Sequence, residues 1–358
     1  MKKDAAYVGC LARDLSEPGA EDYGSMIMFC MAPYLSLFVH ESHRKLKVID
    51  PALPALLSSD VELIIARSRN SLKLFEDNRR GIDGQLAYFR DEITLKHSQR
   101  FLNNTWLKLA RFLETDLGIY SYDKKIISTT HAATFHLGFD PLISLEDRTG
   151  LTLQSVYEEY GAYFHHLGAR LDSNSHTFVN YVESRLFDRY PNDVRAAKYY
   201  RRVFNGNVTP DINRLLMVFR GLMNFIDSVV TLGQASDRNE YTVFKIRFLT
   251  VYQVLRSLSM LHDERPGELT AQSMRFIERI TSTSAARLIT DPVSKPFRNT
   301  LMHYDLDSRI DMARVDTAKP LFGLVPIYFP SHDFESFADT VDACIEETTS
   351  LMEEWATS

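Results

Sequence analysis

Tyr241-Thr-Val-Phe244-Lys-Ile-Arg-Phe248-Leu-Thr-Val251-Tyr-Gln-Val-Leu255-Arg-Ser-Leu258 decides the fold class. The apolar residues Tyr241, Phe244, Phe248, Val251, Leu255 and Leu258 recur three and four apart. That spacing gathers them on one side of an α-helix, whereas a strand would need a period of two. Two flanking segments repeat the pattern. Ile212, Leu215, Phe219, Leu222, Ile226 and Val229 form one stripe, and Phe334, Phe337, Val341, Ile345, Met352 and Trp355 form another. Stripes of this kind pack as an antiparallel bundle when their connections are short. A weaker helix is expected over Thr270 to Ile289. A short one should start at Pro296, whose fixed φ suits the first turn.

Upstream the signal is more broken. Met26 to Val39 is the most apolar early run; it is interrupted by Pro33 and reads as a buried helix or helix pair. It is too short to span a bilayer, and its position does not suit a signal peptide. Gln85 to Glu114 reads as helix, with Leu86, Phe89 and Ile93 on one face and Leu102, Trp106, Leu109 and Leu113 continuing the period. Lys124 to Leu145 lacks it and carries His131, His136 and Pro141, which suggests loop with short strands. A further helix should begin near Thr152. Breaks at Arg189–Asn192 and Asn205–Pro210 place a boundary near residue 200. The expectation is an all-α protein: residues 1–200 a mainly helical region, residues 201–358 a helical bundle.

Composition narrows the function classes. The chain has 358 residues, 45% hydrophobic and 25% charged, which is enough for a sizeable core and gives no sign of disorder. The net charge is −6, so any nucleic-acid contact must be local rather than spread over the surface. Three cysteines, Cys10, Cys30 and Cys344, lie far apart, which argues against a thiolate zinc site and a disulfide framework. These features point to a cytoplasmic protein without a membrane segment. No Gly-rich phosphate loop and no Gly-x-Ser-x-Gly nucleophile motif occurs.

The chemistry concentrates in Asp291-Pro-Val-Ser-Lys-Pro-Phe-Arg-Asn-Thr-Leu-Met-His-Tyr-Asp305. On a helix starting near Pro296, Asn299 and His303 share a face and Arg298 falls in the first turn, where free N–H groups and the helix dipole favour an anion. An arginine fork, an amide and an imidazole can together hold a phosphate and move a proton beside it, with no metal or other cofactor. Arg followed by His after four to six residues occurs four times, at Arg90–His97, Arg170–His176, Arg256–His262 and Arg298–His303. Roughly two or three such pairs are expected by chance, so the spacing alone carries little. Requiring Asn directly after Arg leaves Arg298-Asn299…His303 alone, against a chance expectation of about 0.1.

Phe297-Arg-Asn-Thr-Leu-Met-His-Tyr304 resembles the signature of the HEPN superfamily: Arg, four to six residues, then His, often with Asn after the Arg. HEPN domains are small bundles of four or five helices with this motif near the start of a late helix, and the helices expected from about 210 to 356 follow that plan. The resemblance covers only this C-terminal part. It implies metal-independent cleavage of RNA, with His303 in acid–base chemistry, Arg298 stabilising charge on the phosphate and Asn299 positioning its neighbours. It further implies a homodimer, since HEPN sites form where two motifs meet, and a setting in bacterial defence or a toxin-like system. Many HEPN-like domains have no demonstrated nuclease activity, and the motif alone does not separate the two groups.

The competing view of the trio is structural: Arg298 pairs with a carboxylate such as Asp305 or Asp307, Asn299 lies near the helix cap, and His303 is a satisfied core residue. Its functional counterpart is a non-catalytic helical adaptor that binds a protein or nucleotide partner. The enzyme requires Arg298 and His303 to open onto a polar cleft; the adaptor allows them to be packed inside the monomer. A second candidate is the basic stripe Arg195, Lys198 and Arg202 with Tyr199 and Tyr200 between them, which could follow a phosphate chain and stack bases, or be a solvated helix face. His165 and His166 point about 100° apart on a helix and do not make a metal site by themselves.

Overall fold

The computed structural model describes residues 1–77, 80–106, 111, 113–138, 149–171, 175–188, 193–204, 207, 209–233, 241–308 and 310–358. The fold is all-α, with a single two-stranded sheet among the described residues. In the N-terminal half run α1 (Lys2–Leu15), α2 (Gly24–Leu46), α3 (Ser59–Ser71), α4 (Gly81–Ala87) and α5 (Leu95–Phe101). Strands β1 (Ile119–Tyr122) and β2 (Lys125–Thr129) follow, then α6 (Thr130–Leu137), α7 (Thr149–His166) and α8 (Ala196–Tyr200). The remainder comprises α9 (Pro210–Ser228), α10 (Tyr241–Glu264), α11 (Ala271–Thr281), α12 (Ser284–Thr290), α13 (Ser294–His303), α14 (Val325–Tyr328) and α15 (Phe334–Thr357).

The three stripes form the helices their spacing demands, and α9, α10 and α15 pack on one another. Trp355 at the end of α15 is fully buried; it stacks on Phe276, and its Nε1 donates to Ser273 Oγ at 3.1 Å. The weaker helix expected over 270–289 is two helices: Thr270 caps α11 and Thr283 caps α12, each hydroxyl accepting a backbone N–H of the next turn.

The Met26–Val39 run lies within one buried helix, α2, which accommodates Pro33 in its interior. The helix expected over 85–114 is shorter. It passes through a π-helical stretch at Tyr88–Thr94 and ends with α5, leaving Trp106 and Leu113 exposed; Leu109 is outside the described residues. The strands expected after Lys124 begin earlier, at Ile119, and turn through Asp123 and Lys124 with φ of 45° and 66°. Two positive φ values are what a tight turn twisting with its strands requires. His131 and His136 do not lie in a loop: Thr129 caps a helix there, and both are buried on α6. Residues 139–145 with Pro141, the 189–192 break, and residues 205, 206 and 208 of the second break lie outside the described residues.

Residues on both sides of position 200 contribute to one hydrophobic cluster. Phe75 meets Phe219 with ring centroids 5.5 Å apart, and Phe178 meets Phe225 at 5.9 Å. The sheet lies on α9 at Gly221, where an added Cβ would come within 2.9 Å of the Ile127 carbonyl oxygen. Gly138 ends α6 at φ +68°, and a Cβ there would sit 2.4 Å from Ser68 N on α3.

Three buried imidazoles hold the middle of the molecule. His97 Nε2 lies 3.0 Å from Thr134 Oγ1, His131 Nδ1 3.1 Å from Tyr200 Oη, and His136 Nδ1 3.0 Å from Ser71 Oγ. Burial pushes His97 down to about 4 and His136 down to about 3, and it lowers His131 as well. All three therefore fold neutral, while the unfolded chain protonates them near pH 6.5. Their contribution is complete above about pH 6.5 and is lost as the pH falls toward 4, by about 1.4 kcal/mol per histidine per pH unit. The urea midpoint should be level from pH 8 to 7 and drop steadily below 6.5. A midpoint unchanged down to pH 5 would contradict this burial.

Candidate functional site: a charge cluster on the Arg298–His303 helix

Helix α13 is fixed by its apolar side. Phe297, Leu301 and Met302 are buried, and the Phe297 ring packs against Phe248 at 5.1 Å and Phe329 at 5.3 Å. With 297 and 301 facing inward, 298, 299 and 303 are turned toward the N-terminal helices. The helix begins at Ser294, two residues before the expected start, so Arg298 lies beyond the first turn. Its backbone N–H is within the helical ladder, and the anion-binding geometry expected of a helix start does not apply to it.

Each side chain of the motif finds a partner inside the chain. Arg298 Nη2 donates to Glu76 Oε2 at 2.6 Å, and Nη1 donates to Asn299 Oδ1 at 2.9 Å. The guanidinium also lies over the Tyr252 ring, 5.0 Å from its centroid. Glu76 takes a second cation, with Arg256 Nε at 3.2 Å. His303 Nδ1 stands 3.0 Å from Glu41 Oε2 on α2. Glu41 is completely buried, and it also pairs with Arg69 of α3 and with Arg44 at 3.1 Å. The carboxylates that hold the motif are thus Glu76 and Glu41, whereas Asp305 pairs with Lys45 at 2.6 Å. The side chain of Arg298 is 12% exposed and that of His303 25%.

Burial alone would raise the Glu41 carboxyl. The contact with His303 and the charges of Arg69, His303 and Arg44 outweigh it and bring the group down to about 2. Lys73, half-buried nearby, is lowered by burial and by Arg69. Arg44, Arg69, Lys73, Arg256 and Arg298 gather around Glu41, Glu76 and Asp77, so cations exceed carboxylates. Next to the motif, Tyr304 ends α13 in the left-handed region at φ 52° and donates its hydroxyl to Asp4 Oδ2 at 2.5 Å. Asp4 also receives the fully buried Lys245 at 3.2 Å, and Lys245 lies 4.0 Å from the Tyr304 ring centroid.

Arg195, Lys198 and Arg202 do not share one long helix, because α8 spans only Ala196–Tyr200. They nevertheless line one groove of ≈ 550 Å³ with Tyr199, Val203 and Ala356. Arg195 is spent on the wall, donating to the Glu114 and Arg111 carbonyl oxygens. Lys198 and Arg202 are exposed. His166 pairs with Asp50 at 2.6 Å rather than with His165.

One group among the described residues could offer three metal ligands: Asp14, Glu17 and His176. Asp14 is already held by Arg13 and by the Thr177 backbone N–H at 2.6 Å and hydroxyl at 2.8 Å, so a cation would have to displace the guanidinium. Comparison with protein-family models, characterised proteins and solved structures gives no match.

Sequence reasoning missed Glu41, Arg69 and Glu76, which lie more than 200 residues from the motif they hold. The available signal was a carboxylate just past the most apolar run, at a position that an extended helix keeps inside. Glu41→Gln should destabilise the fold by about 3–5 kcal/mol in urea unfolding, since it leaves Arg69 buried without its counter-charge. Arg298→Ala should cost less, about 1–2 kcal/mol, because Glu76 keeps Arg256. Losses below about 0.5 kcal/mol for both would show that the cluster is not a lock.

Proposed function

We propose that this chain is a non-catalytic helical adaptor that binds single-stranded RNA in the Arg195–Lys198–Arg202 groove. The observation that carries the non-catalytic part is the double engagement of the motif: Arg298 on Glu76 and His303 on Glu41, both inside the monomer. A phosphate clamp would have to break the Arg298 pair first. The groove supplies what a single strand needs, a partly apolar floor with Tyr199 and a rim with Lys198 and Arg202 free to face phosphates. Its cationic residues are local, in keeping with a net charge of −6.

A second reading is favoured by one specific contact. Glu41 is buried, ionised and set against Nδ1 of an imidazole that is still one quarter exposed. A carboxylate behind a histidine fixes its orientation and leaves the other nitrogen for proton transfer. This supports a metal-independent endoribonuclease of HEPN type, in which two copies of the chain meet and Arg298 exchanges Glu76 for a phosphate.

One experiment separates them: labelled single-stranded RNA incubated with the wild type and with His303→Ala, in excess chelator, read for binding and for cleavage. The adaptor binds without cutting, His303→Ala binds as well as wild type, and Lys198→Glu with Arg202→Glu weakens binding at least tenfold. Chelator-resistant cleavage that leaves 2′,3′-cyclic phosphate ends, comes from a dimer and vanishes in His303→Ala would hand the motif to the ribonuclease. RNA that binds neither protein would overturn the adaptor.

A further inference from the structure

The chain has two tryptophans, and the fold treats them oppositely: Trp355 is fully buried, whereas Trp106 is 85% exposed. The segment that carries Trp106 is fixed to the wall of the Arg195–Lys198–Arg202 groove. Helix α5 ends at Phe101, and Asn103 turns the chain at φ 65°, in the left-handed region that asparagine tolerates. Glu114, which lines the groove, then takes two backbone N–H groups of this segment on one carboxylate, Asn103 at 2.5 Å and Thr105 at 2.6 Å. Those bonds, that of Thr105 foremost, hold the Glu114 carboxyl below the usual carboxylate range, so the clasp is closed at neutral pH. Arg111 Nε donates to the Thr105 carbonyl oxygen at 3.0 Å. Arg195 in turn donates to the carbonyl oxygens of Arg111 and Glu114, the latter at 3.2 Å. Trp106 is thus bonded directly to a residue whose N–H and C=O are both held by the groove wall.

The groove by itself is short for a strand. Its ≈ 550 Å³ falls within the size of a single small-molecule pocket, roughly 300 to 1,000 Å³, so a bound chain must leave it over a wall. The wall of Glu114 and Arg195 has an open aromatic side chain beside it. An indole offers phosphates one donor and no charge. To a base it offers a π face, and every base has one to return, so such stacking is tolerant of sequence.

We propose that Trp106 is a stacking platform for a base of the single-stranded RNA, next to the stretch held by Lys198, Tyr199 and Arg202. The assignment rests on the RNA-binding reading of the groove and adds a contact outside it. The two parts do different work. Lys198 and Arg202 meet phosphates and release counter-ions, so their share of the affinity falls as salt rises. Trp106 supplies a share that does not depend on counter-ion release. Arg195 is a positioning residue for both, since the carbonyl oxygens it holds belong to the residues that clasp the Trp106 segment.

Titrating labelled oligouridylate into the full chain tests this, with label anisotropy reporting binding and tryptophan emission reporting stacking. Emission should fall over the same RNA concentrations that raise the anisotropy. In Trp106→Phe, where Trp355 alone emits, it should stay level. Trp106→Ala should bind about fivefold or more weakly, and Trp106→Phe, which keeps an aromatic face, within about twofold of wild type. The slope of log affinity against log salt should be the same for Trp106→Ala and wild type, and shallower for Lys198→Glu with Arg202→Glu. Because the side chain is exposed, the urea midpoint of Trp106→Ala should match that of wild type. RNA that binds without changing wild-type emission, or binds Trp106→Ala as tightly as wild type, would overturn the stacking role and leave the groove reading standing. So would a lowered midpoint in Trp106→Ala, which would make Trp106 a packing residue. RNA that does not bind the wild type would remove both.

Discussion

A carboxylate with no access to water must be surrounded by positive charge, and Glu41 meets that demand by drawing three parts of the chain together. Arg69 comes from α3, Arg44 from the next turn of α2, and His303 from the end of α13. Isolated, the ion would face a desolvation penalty of several kcal/mol. With its partners in place, it sets the position of α13 relative to α2 and α3. Asp4 repeats the device one step away, joining α1 to Lys245 of α10 and to Tyr304 at the end of α13. The helices of residues 1–200 are therefore fastened to the later bundle by buried charge as well as by apolar packing. Buried ion sets of this kind are sensitive to the loss of any one member, since the remaining charges stay behind unpaired.

The same arrangement gives the Arg-Asn-x-x-x-His segment a definite job in the monomer. Arg298 and His303 are five positions apart, which turns them to different sides of α13, and each reaches a different carboxylate. Phosphate chemistry at this helix would require Arg298 to exchange Glu76 for an incoming anion. It is not an impossible exchange, because both members are partly exposed and Glu76 would retain Arg256. His303 needs no such exchange. Its contact with Glu41 would serve a proton-transferring imidazole and a structural one equally well, so the arginine rather than the histidine distinguishes adaptor from nuclease.

Much of the architecture was legible because long amphipathic helices advertise themselves by period. Every residue of the Ile212–Val229 and Tyr241–Leu258 stripes is buried except Tyr241, which is partly buried and packs against the core. Failures cluster where period and context part company. Leu102, Trp106 and Leu113 continue a helical spacing, yet the chain leaves the helix at Phe101, and Trp106 and Leu113 face solvent. Periodicity reports what a helix would bury, not whether a neighbouring surface exists to receive it. His131 and His136 were read as loop because α6 is buried on every side from His131 to Leu137, polar and apolar residues alike, so no apolar stripe marks it. The site was legible in part. The residue types and spacing of the motif are visible in sequence, but its partners Glu41 and Glu76 come from elements whose proximity only the tertiary fold creates. The residues of the basic stripe do come together, but across a short helix and the turn after it and not along one helical face.

The claim on which the account rests is that Arg298 is engaged with Glu76 in the folded monomer. A double-mutant cycle with Arg298→Ala, Glu76→Ala and the pair, measured by urea unfolding, tests it directly. The account predicts a coupling energy of about 1–2 kcal/mol, as for contacting residues in one charge network. Additivity within about 0.3 kcal/mol would contradict it, free the guanidinium for an outside anion, and return the motif to the catalytic reading.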